Sequence, residues 1–582
     1  MRHLLALALL FAASSAAADE LPTQPFIKIE INRHTGAIQR IAVDAAGKWL
    51  VTGSLDKTAR IWDLATGEPV RVLRTPVGGG DLGRVLAVAM TADGQTVAVG
   101  GIMPENGVYL FDRATGKLLR RLKGATSDVS ELEFSADGAR LAAGQLSGGV
   151  RVWNVKDGAR VSDDAKYTGA INGLSFDTSG RLVTSASDGA LRLYDAKGTL
   201  LKKAPAPSGK QPAGLQFSPD GSKLAVTYND HPRVDVLSAS DFKVLLQPDV
   251  SAVKTTRLLS TGWSPDGQRL VAAGSASALR LWSEAGAGTP LNIATRTLEP
   301  VTDLKTLPDG IVYGAGDPAW GQVRYNGKRV RMVEPGHPNF LALGLTGLRV
   351  SQDGLRIEFT VDLEGTQRFW FDAKTRTLTP APAEDSTLAG PRQSSSNADF
   401  GEWRGRPNLK LNGKPISLDG EITRGLAVSG DGTFFVVAAD RSLRAFTVDG
   451  RKLWTRTVPD VPLATTVSPD NRLVITAYAD GTIRWQRTPD GAELLSLFVQ
   501  PSTAQWVAYT PTGYYEASAG GESLFGWVKN HGADAASELL PPATQRPKFR
   551  RGEVITATLK RLDLPISEDS DRKKRDETSK KQ

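Results

Sequence analysis

Cysteine is absent from the 582 residues, which excludes disulfides, thiolate nucleophiles, thiolate metal sites and iron–sulfur clusters. Histidine is nearly as scarce: beyond the N-terminus only His34, His231, His337 and His531 occur, far apart in sequence. There is no Gly-x-Ser-x-Gly elbow, no Walker phosphate loop and no His-Glu-x-x-His pair. After the N-terminus no apolar run reaches the roughly 18 residues that a membrane-spanning helix needs. The net charge of +8 is dilute over a chain this long. Its densest basic run, Arg572–Arg575, is nearly cancelled by Glu568, Asp569, Asp571, Asp576 and Glu577. These absences leave no catalytic residue, no metal-ligand set and no cofactor site to assign, and they argue against a nucleic-acid partner. Nor does a ring of carboxylates or histidines stand out at matching positions along the chain.

The N-terminus has a different character from the rest. Arg2 and His3 precede the apolar run Leu4–Phe11, and Ala16-Ala17-Ala18 offers the small-x-small pattern of a cleavage site. Residues 1–18 therefore read as a signal peptide removed before Asp19. Export without cysteine suits a bacterial periplasm, or secretion, and a domain whose core needs no covalent staples. At the other end, 565–582 is almost wholly charged or polar and reads as a disordered tail.

What fills the chain between these ends is one phrase repeated. A turn Gly or Asn recurs at Gly47, Gly94, Gly138, Gly180, Gly221, Gly267, Gly310, Gly354, Gly432, Asn471 and Gly513. The intervals run from 39 to 47 residues, apart from one of 78 that hides a faded unit near Trp403. An aromatic follows eight of these eleven turns by 14 to 17 residues, at Trp62, Phe111, Trp153, Tyr194, Trp282, Phe371, Phe446 and Trp485. Between them apolar residues alternate as in half-buried strands. Ser-Pro-Asp-Gly at 218–221 and 264–267 provides hairpin chemistry, with Pro presetting φ and Gly taking the left-handed position. A four-stranded unit cannot bury both of its faces alone, so such units pack face to face around a ring.

This period with a Trp-Asp ending, as at Trp62-Asp63, resembles the WD40 repeat. The expected fold is all-β: two tandem WD40-type β-propellers of about six to seven four-stranded blades each, since roughly twelve units exceed one ring. Seven plus about six and six plus six blades both fit. A turn-rich break at Glu334–Pro338 places the first propeller at 19–335 and the second, more divergent one at 336–530. A C-terminal extension follows at 531–564. Strand-like Phe26–Ile31, attached to the first propeller's N-terminal side, is expected to close a ring. The unit at 506–527 is its preferred partner over the seventh unit of the first ring. By the same resemblance His34, Ser54, Asp56 and Trp62 form a buried structural tetrad that locks a blade rather than a catalytic triad. Phe111, Trp153, Tyr194, Trp282, Phe371, Phe446 and Trp485 are the blade-closing aromatics.

The stretch Thr510-Pro-Thr-Gly513-Tyr514-Tyr515, followed by Gly526-Trp527 and Asn530-His-Gly532, departs from the repeat. It is similar to the junction in bacterial WD40 proteins fused to caspase-like peptidases. The next motif of that family is not matched, since Phe549-Arg-Arg-Gly-Glu-Val stands in its place, and no peptidase domain is expected before Gln582. The expectation is a non-enzymatic periplasmic scaffold that binds one or more proteins. Two alternatives stay open: a sensor or regulatory subunit for a separate caspase-like peptidase, and a propeller that uses a central pocket for catalysis or ligand binding.

Overall fold

The structure is a computed structural model that describes residues 21–251, 257–381, 383 and 385–560. The expected signal peptide (1–18) and charged tail (565–582) lie outside the described residues. The fold is all-β and divides into two compact units. Of the described residues, the first holds 21–25, Ile31–Gly336 and Val528–Leu540; the second holds Phe26–Glu30, His337–Trp527 and 541–560.

The first unit is a ring of seven blades at 38–73, 85–122, 129–164, 171–205, 212–246, 258–294 and 301–333. Each is a four-stranded antiparallel sheet in simple sequence order. The first strand of each blade is innermost and packs beside the first strands of its two neighbours. Local chemistry makes the hairpins. Ser218 donates to Asp220 at 2.5 Å and accepts from the Lys223 N–H at 2.9 Å, while Gly221 sits at φ 70°. The same serine–aspartate clasp recurs at Ser135–Asp137, Ser264–Asp266, Ser429–Asp431 and Ser468–Asp470. Gly310 differs from the expected turn role. It lies in a strand, Gly310–Ala315, where a Cβ would stand 2.2 Å from the Val323 carbonyl oxygen.

Among the described residues no strand exchange closes this ring. Blade 7 meets blade 1 through Thr302 Oγ1 donating to the Ile38 carbonyl at 2.7 Å and the Ile41 N–H donating to Asp303 at 3.0 Å. Arg331 donates to the Ala65 carbonyl at 2.7 Å, and the Trp62 and Trp320 rings stand 5.7 Å apart. Arg331 repeats a latch found at Arg71, which reaches the Ala114 carbonyl, and at Arg120, which reaches that of Lys156. Packing and polar contacts thus do at the seam what they do between other blades.

The second unit carries the same blade type in smaller number. Among the described residues it has four-stranded sheets at 349–380 and 423–457, a six-stranded sheet at 462–517 and the hairpin Lys410–Leu411 with Lys414–Pro415. Six to seven four-stranded blades hold for the first unit only. The faded unit is real but degenerate: Trp403, Phe400 and Leu411 pack onto the sheet at 423–457 without building a sheet of four strands. The sheet at 349–380 buries Phe359, Phe371 and Ile357 against Trp485, Ile475 and Leu497 of the six-stranded sheet.

The domain boundaries need two corrections. Phe26–Ile29 belongs with the second unit, beside Phe525–Lys529, and the Glu30 N–H donates to the Leu524 carbonyl at 2.8 Å. Its side chains are half-buried, not buried. The expected extension 531–564 is not one piece. Residues 528–540 lie on blades 1 and 2, held by Tyr109 to the Ala533 carbonyl at 2.7 Å, Arg121 to Asp534 at 2.7 Å and Ser537 to the Thr75 carbonyl at 2.9 Å. Residues 541–560 pack in the second unit instead.

Candidate functional site

Three constellations of polar or aromatic residues could carry function, and the first is the histidine network. His34, 1% exposed, has both ring nitrogens engaged: Nδ1 with Asp56 at 2.7 Å and Nε2 with Thr52 at 2.7 Å. Trp62 Nε1 donates to the same Thr52 hydroxyl at 2.8 Å. A neutral imidazole protonated on Nδ1 satisfies the whole chain, with Thr52 donating to Nε2 and accepting from Trp62. Ser54 is not the bridging hydroxyl: it donates to the Gly36 carbonyl at 2.6 Å. Register explains the correction. Trp62 pairs with Leu50, so its indole reaches the diagonal Thr52, whereas Ser54 lies one more pair beyond at the strand end. Blade 4 repeats the plan with other residues, Tyr167 bridging Thr184 and Tyr194 at 2.7 Å each. Thr184 and Tyr194 hold the strand positions of Thr52 and Trp62, which marks the network as blade architecture.

The blade-closing aromatics Phe111, Trp153, Tyr194, Trp282, Phe371, Phe446 and Trp485 are all buried. Trp153, Trp282 and Trp485 donate to the carbonyls of Lys123, Asp249 and Gly354. In blade 7 Val323 holds that position, and the buried Trp320, opposite Gly314 at the start of the strand, has no counterpart in the spacing pattern.

The second constellation went unseen in the sequence. Each first strand in the ring has a bulge near its start, and the residue after it faces the axis. Those positions include Arg40, Glu131, Ser260 and Asp303; two residues further on stand Glu133, Gln216 and Lys305. All seven line a central cavity of about 440 Å³. Arg40 holds Glu131 through a forked contact, with Nε 2.9 and 3.0 Å from its two oxygens. Several of these side chains accept an N–H of the next blade's inner strand: Glu133 from Phe176 at 3.1 Å, Gln216 from Trp263 at 2.7 Å, Asp303 from Ile41 at 3.0 Å. They thus satisfy backbone donors on a strand edge that no other strand pairs. Among the described residues no cation touches Glu133 directly, and burial pushes its carboxyl up to about 7 despite the Phe176 N–H and the charge of Lys305. Three carboxylates and two cations therefore do converge, which corrects the expectation that no such ring exists.

The third is the junction motif in the second unit. Gly513 turns the chain at φ 90°, and a Cβ there would lie 2.9 Å from Trp527. Tyr515 is fully buried, with its ring 4.9 Å from that of Phe525 and its hydroxyl 2.9 Å from Glu522. Trp527 stacks on Phe549 at 4.6 Å, and Tyr514 lies 5.6 Å from the same ring. Gly526 sits within the strand Phe525–Lys529. Glu522 receives Arg546 at 2.9 and 3.0 Å, a contact that holds its carboxyl below the usual range. Arg550 donates to Glu516 at 2.9 Å. The motif is a seat for the segment that follows it, not an open surface.

Elsewhere the histidines serve locally. His231 stacks on Tyr228 at 5.1 Å, and His337 bonds the Pro338 carbonyl. Among the described residues no group of three or more His, Asp or Glu side chains is arranged to hold a metal ion, and no helix is long and apolar enough to cross a membrane.

The family model described as "WD domain, G-beta repeat" matches residues 27–63, 116–154 and 164–195. Autophagy-related protein 16 of Arabidopsis thaliana is 22% identical over 300 residues, 44% of this chain and 57% of that protein. A guanine nucleotide-binding protein subunit beta of the same plant is 25% identical over 224 residues, 36% of this chain and 58% of the relative. Small ribosomal subunit protein RACK1y of Oryza sativa subsp. japonica is 26% identical over 300 residues, 47% of this chain and 84% of the relative. The chain spans less than two thirds of the length of the first two.

Proposed function

We propose that this chain of WD40-type β-propeller repeats is a scaffold for protein–protein contacts, without catalysis of its own, in the bacterial envelope. The observation that carries the reading is the fate of its one triad-like constellation. His34 is 1% exposed and bonded on both nitrogens to Asp56 and Thr52, so it has no free lone pair to offer a substrate. The WD40 repeats and the relatives above support protein binding as the role. The composition of residues 2–18 supports export to the periplasm. Protein is favoured over nucleic acid as partner because the +8 charge is dilute and many arginines are spent on latches between blades.

A second reading rests on the cavity in the first ring. Glu133, at about 7, together with Lys305 and Gln216, could bind a small polar ligand whose affinity changes near neutral pH. The role of regulatory subunit for a separate caspase-like peptidase is supported by the resemblance at 506–532 alone. Affinity capture from an envelope fraction with tagged 19–582, followed by cross-linking mass spectrometry, tests the main reading. A reproducible partner cross-linked to the propeller surface supports it. Absence of any partner, together with a turnover lost on changing one cavity residue, overturns it.

A further inference from the structure

In six of the seven blades of the first ring, blade 6 being the exception, the fourth, outermost strand carries a bulge at one fixed place, opposite the third-strand aromatic or its equivalent. The extra residue is aliphatic in every case: Val70, Leu119, Val161, Leu201, Leu245 and Val330 in the first ring. All are exposed, from 40% at Val161 and Val330 to 56% at Leu119. A bulged residue is released from the pleat and turned outward, so a polar side chain is what solubility alone would select there.

The second unit shows both states: in the sheet at 423–457 the bulged Leu453 is 41% exposed, like those of the first ring. In its six-stranded sheet the bulge is Leu494, which is 1% exposed. The helix Gly552–Lys560 packs on that strand, and its Ile555 and Leu559, one turn apart, lie in the same apolar cluster as Leu494. The chain thus carries its own example of an amphipathic helix packed on a fourth-strand bulge, in a sheet that two further strands extend.

In the first ring one arc is built differently from the rest. Blades 1, 2 and 7 place Arg71, Arg120 and Arg331 beside the bulge, and each is occupied by a carbonyl of the next blade. Blade 5 places Leu246 there, and blade 4 places Lys202, which lies over the Phe242 ring at 5.8 Å. The bulges of these two blades are apolar doublets: Leu200 with Leu201, 43% and 55% exposed, and Val244 with Leu245, 43% and 55%. Leu291 continues the arc on blade 6 at 42%. Exposed lysines flank the blade 4 doublet at Lys197 and Lys203, while Lys243 beside the blade 5 doublet is paired with Asp241 at 3.1 Å.

We propose that the outer wall of blades 4 and 5 docks an amphipathic α-helix of a partner protein, with aliphatic residues at i and i+4 on its seated face and acidic residues on its flanks. The aliphatic pair would seat on each doublet as Ile555 and Leu559 join the apolar cluster of Leu494, and the flanking Lys197 and Lys203 favour a partner with acidic flanks. This rests on the scaffold reading and assigns its surface.

The test uses the full chain from residue 19 and a labelled, stapled peptide of about 18 residues, long enough to hold a helix, with leucines on one face and glutamates on its flanks. Fluorescence anisotropy should show saturable micromolar binding. Leu201→Glu combined with Leu245→Glu should weaken it at least about tenfold, whereas Leu119→Glu on blade 2 should change it less than about twofold. Leu201→Ser with Leu245→Ser, at an unchanged melting midpoint, should also weaken it. Equal binding by the variants, or by a peptide with its leucines scrambled, overturns the proposal. So does binding of phosphatidylcholine–phosphatidylglycerol vesicles, or self-association in sedimentation velocity, that the double variant abolishes, since either gives the wall another occupant. Capture from the envelope fraction, repeated with the double variant, separates the two readings. Partners retained at wild-type levels overturn the wall and leave the scaffold standing; no partner for either protein sinks the scaffold.

Discussion

Glu133→Gln should make the first ring more stable at alkaline pH than at acid pH. The glutamate lines the central cavity and its carboxyl sits at about 7, raised by burial from an ordinary 4.5. Between those values the folded chain keeps a proton that the unfolded chain has released, so stability falls as pH rises through the window and is level above it. Below 4.5 both states are protonated and the group contributes nothing. At about 1.36 kcal/mol per pH unit, the rise corresponds to a ceiling of about 3.4 kcal/mol at pH 8. Because the side chain is only partly buried, water in the cavity screens it, and about 1–2 kcal/mol is the realistic share. Glutamine keeps an oxygen for the Phe176 N–H, bonded at 3.1 Å, and removes only the charge. Calorimetry should therefore place the first unit's transition about 2–4 °C higher in the variant at pH 8, and about a quarter of that at pH 5. An equal shift at both pH values would refute the argument, because a packing effect does not titrate. A lower midpoint at pH 8 would show that the carboxylate stabilises the ring as an anion.

Four further outcomes follow from contacts already described. Thr52→Val should cost the first unit about 2–4 kcal/mol, since both His34 and Trp62 lose a buried partner, while Ser54→Ala should cost about 1–2 kcal/mol; urea titrations giving the reverse order would restore Ser54 as the bridge. Gly513→Ala should destabilise the second unit by about 2 kcal/mol or more, through a positive φ and a clash with Trp527, leaving the first transition in place on the same scan. Deleting 26–30 should lower the second unit's midpoint alone; loss of the first transition instead would mean that the strand supports the ring. Edman sequencing of protein recovered from the envelope should begin at Asp19, and an intact Met1 would end the export reading.

The sequence by itself determined what short-range chemistry can write. The hairpins are clasped by contacts only two to five residues apart, such as Ser218 with Asp220 and Lys223, so turn residues at a constant interval disclosed the repeat and the all-β class. The third-strand aromatics were legible for the same reason, and their burial follows from the alternation of the strand. Gly310 shows the limit of that logic. A glycine at the right interval marked a close backbone approach rather than a turn, and Val323, not an aromatic, stands at the blade-closing position after it.

Tertiary structure decided whatever depended on register between strands or on residues brought together around a ring. Thr52 rather than Ser54 bridges His34 and Trp62 because strand pairing sets which hydroxyl lies diagonal to the indole. Asp303 meets the Ile41 N–H across 262 residues, and Arg40 meets Glu131 across 91. In sequence these were isolated charges on apolar strands; only the closing of seven blades places them in one cavity and lifts the Glu133 carboxyl toward neutrality. The outer-wall leucines belong to the same class. Each reads alone as an ordinary strand residue, and the bulge that turns it outward exists only once the fourth strand has paired with the third.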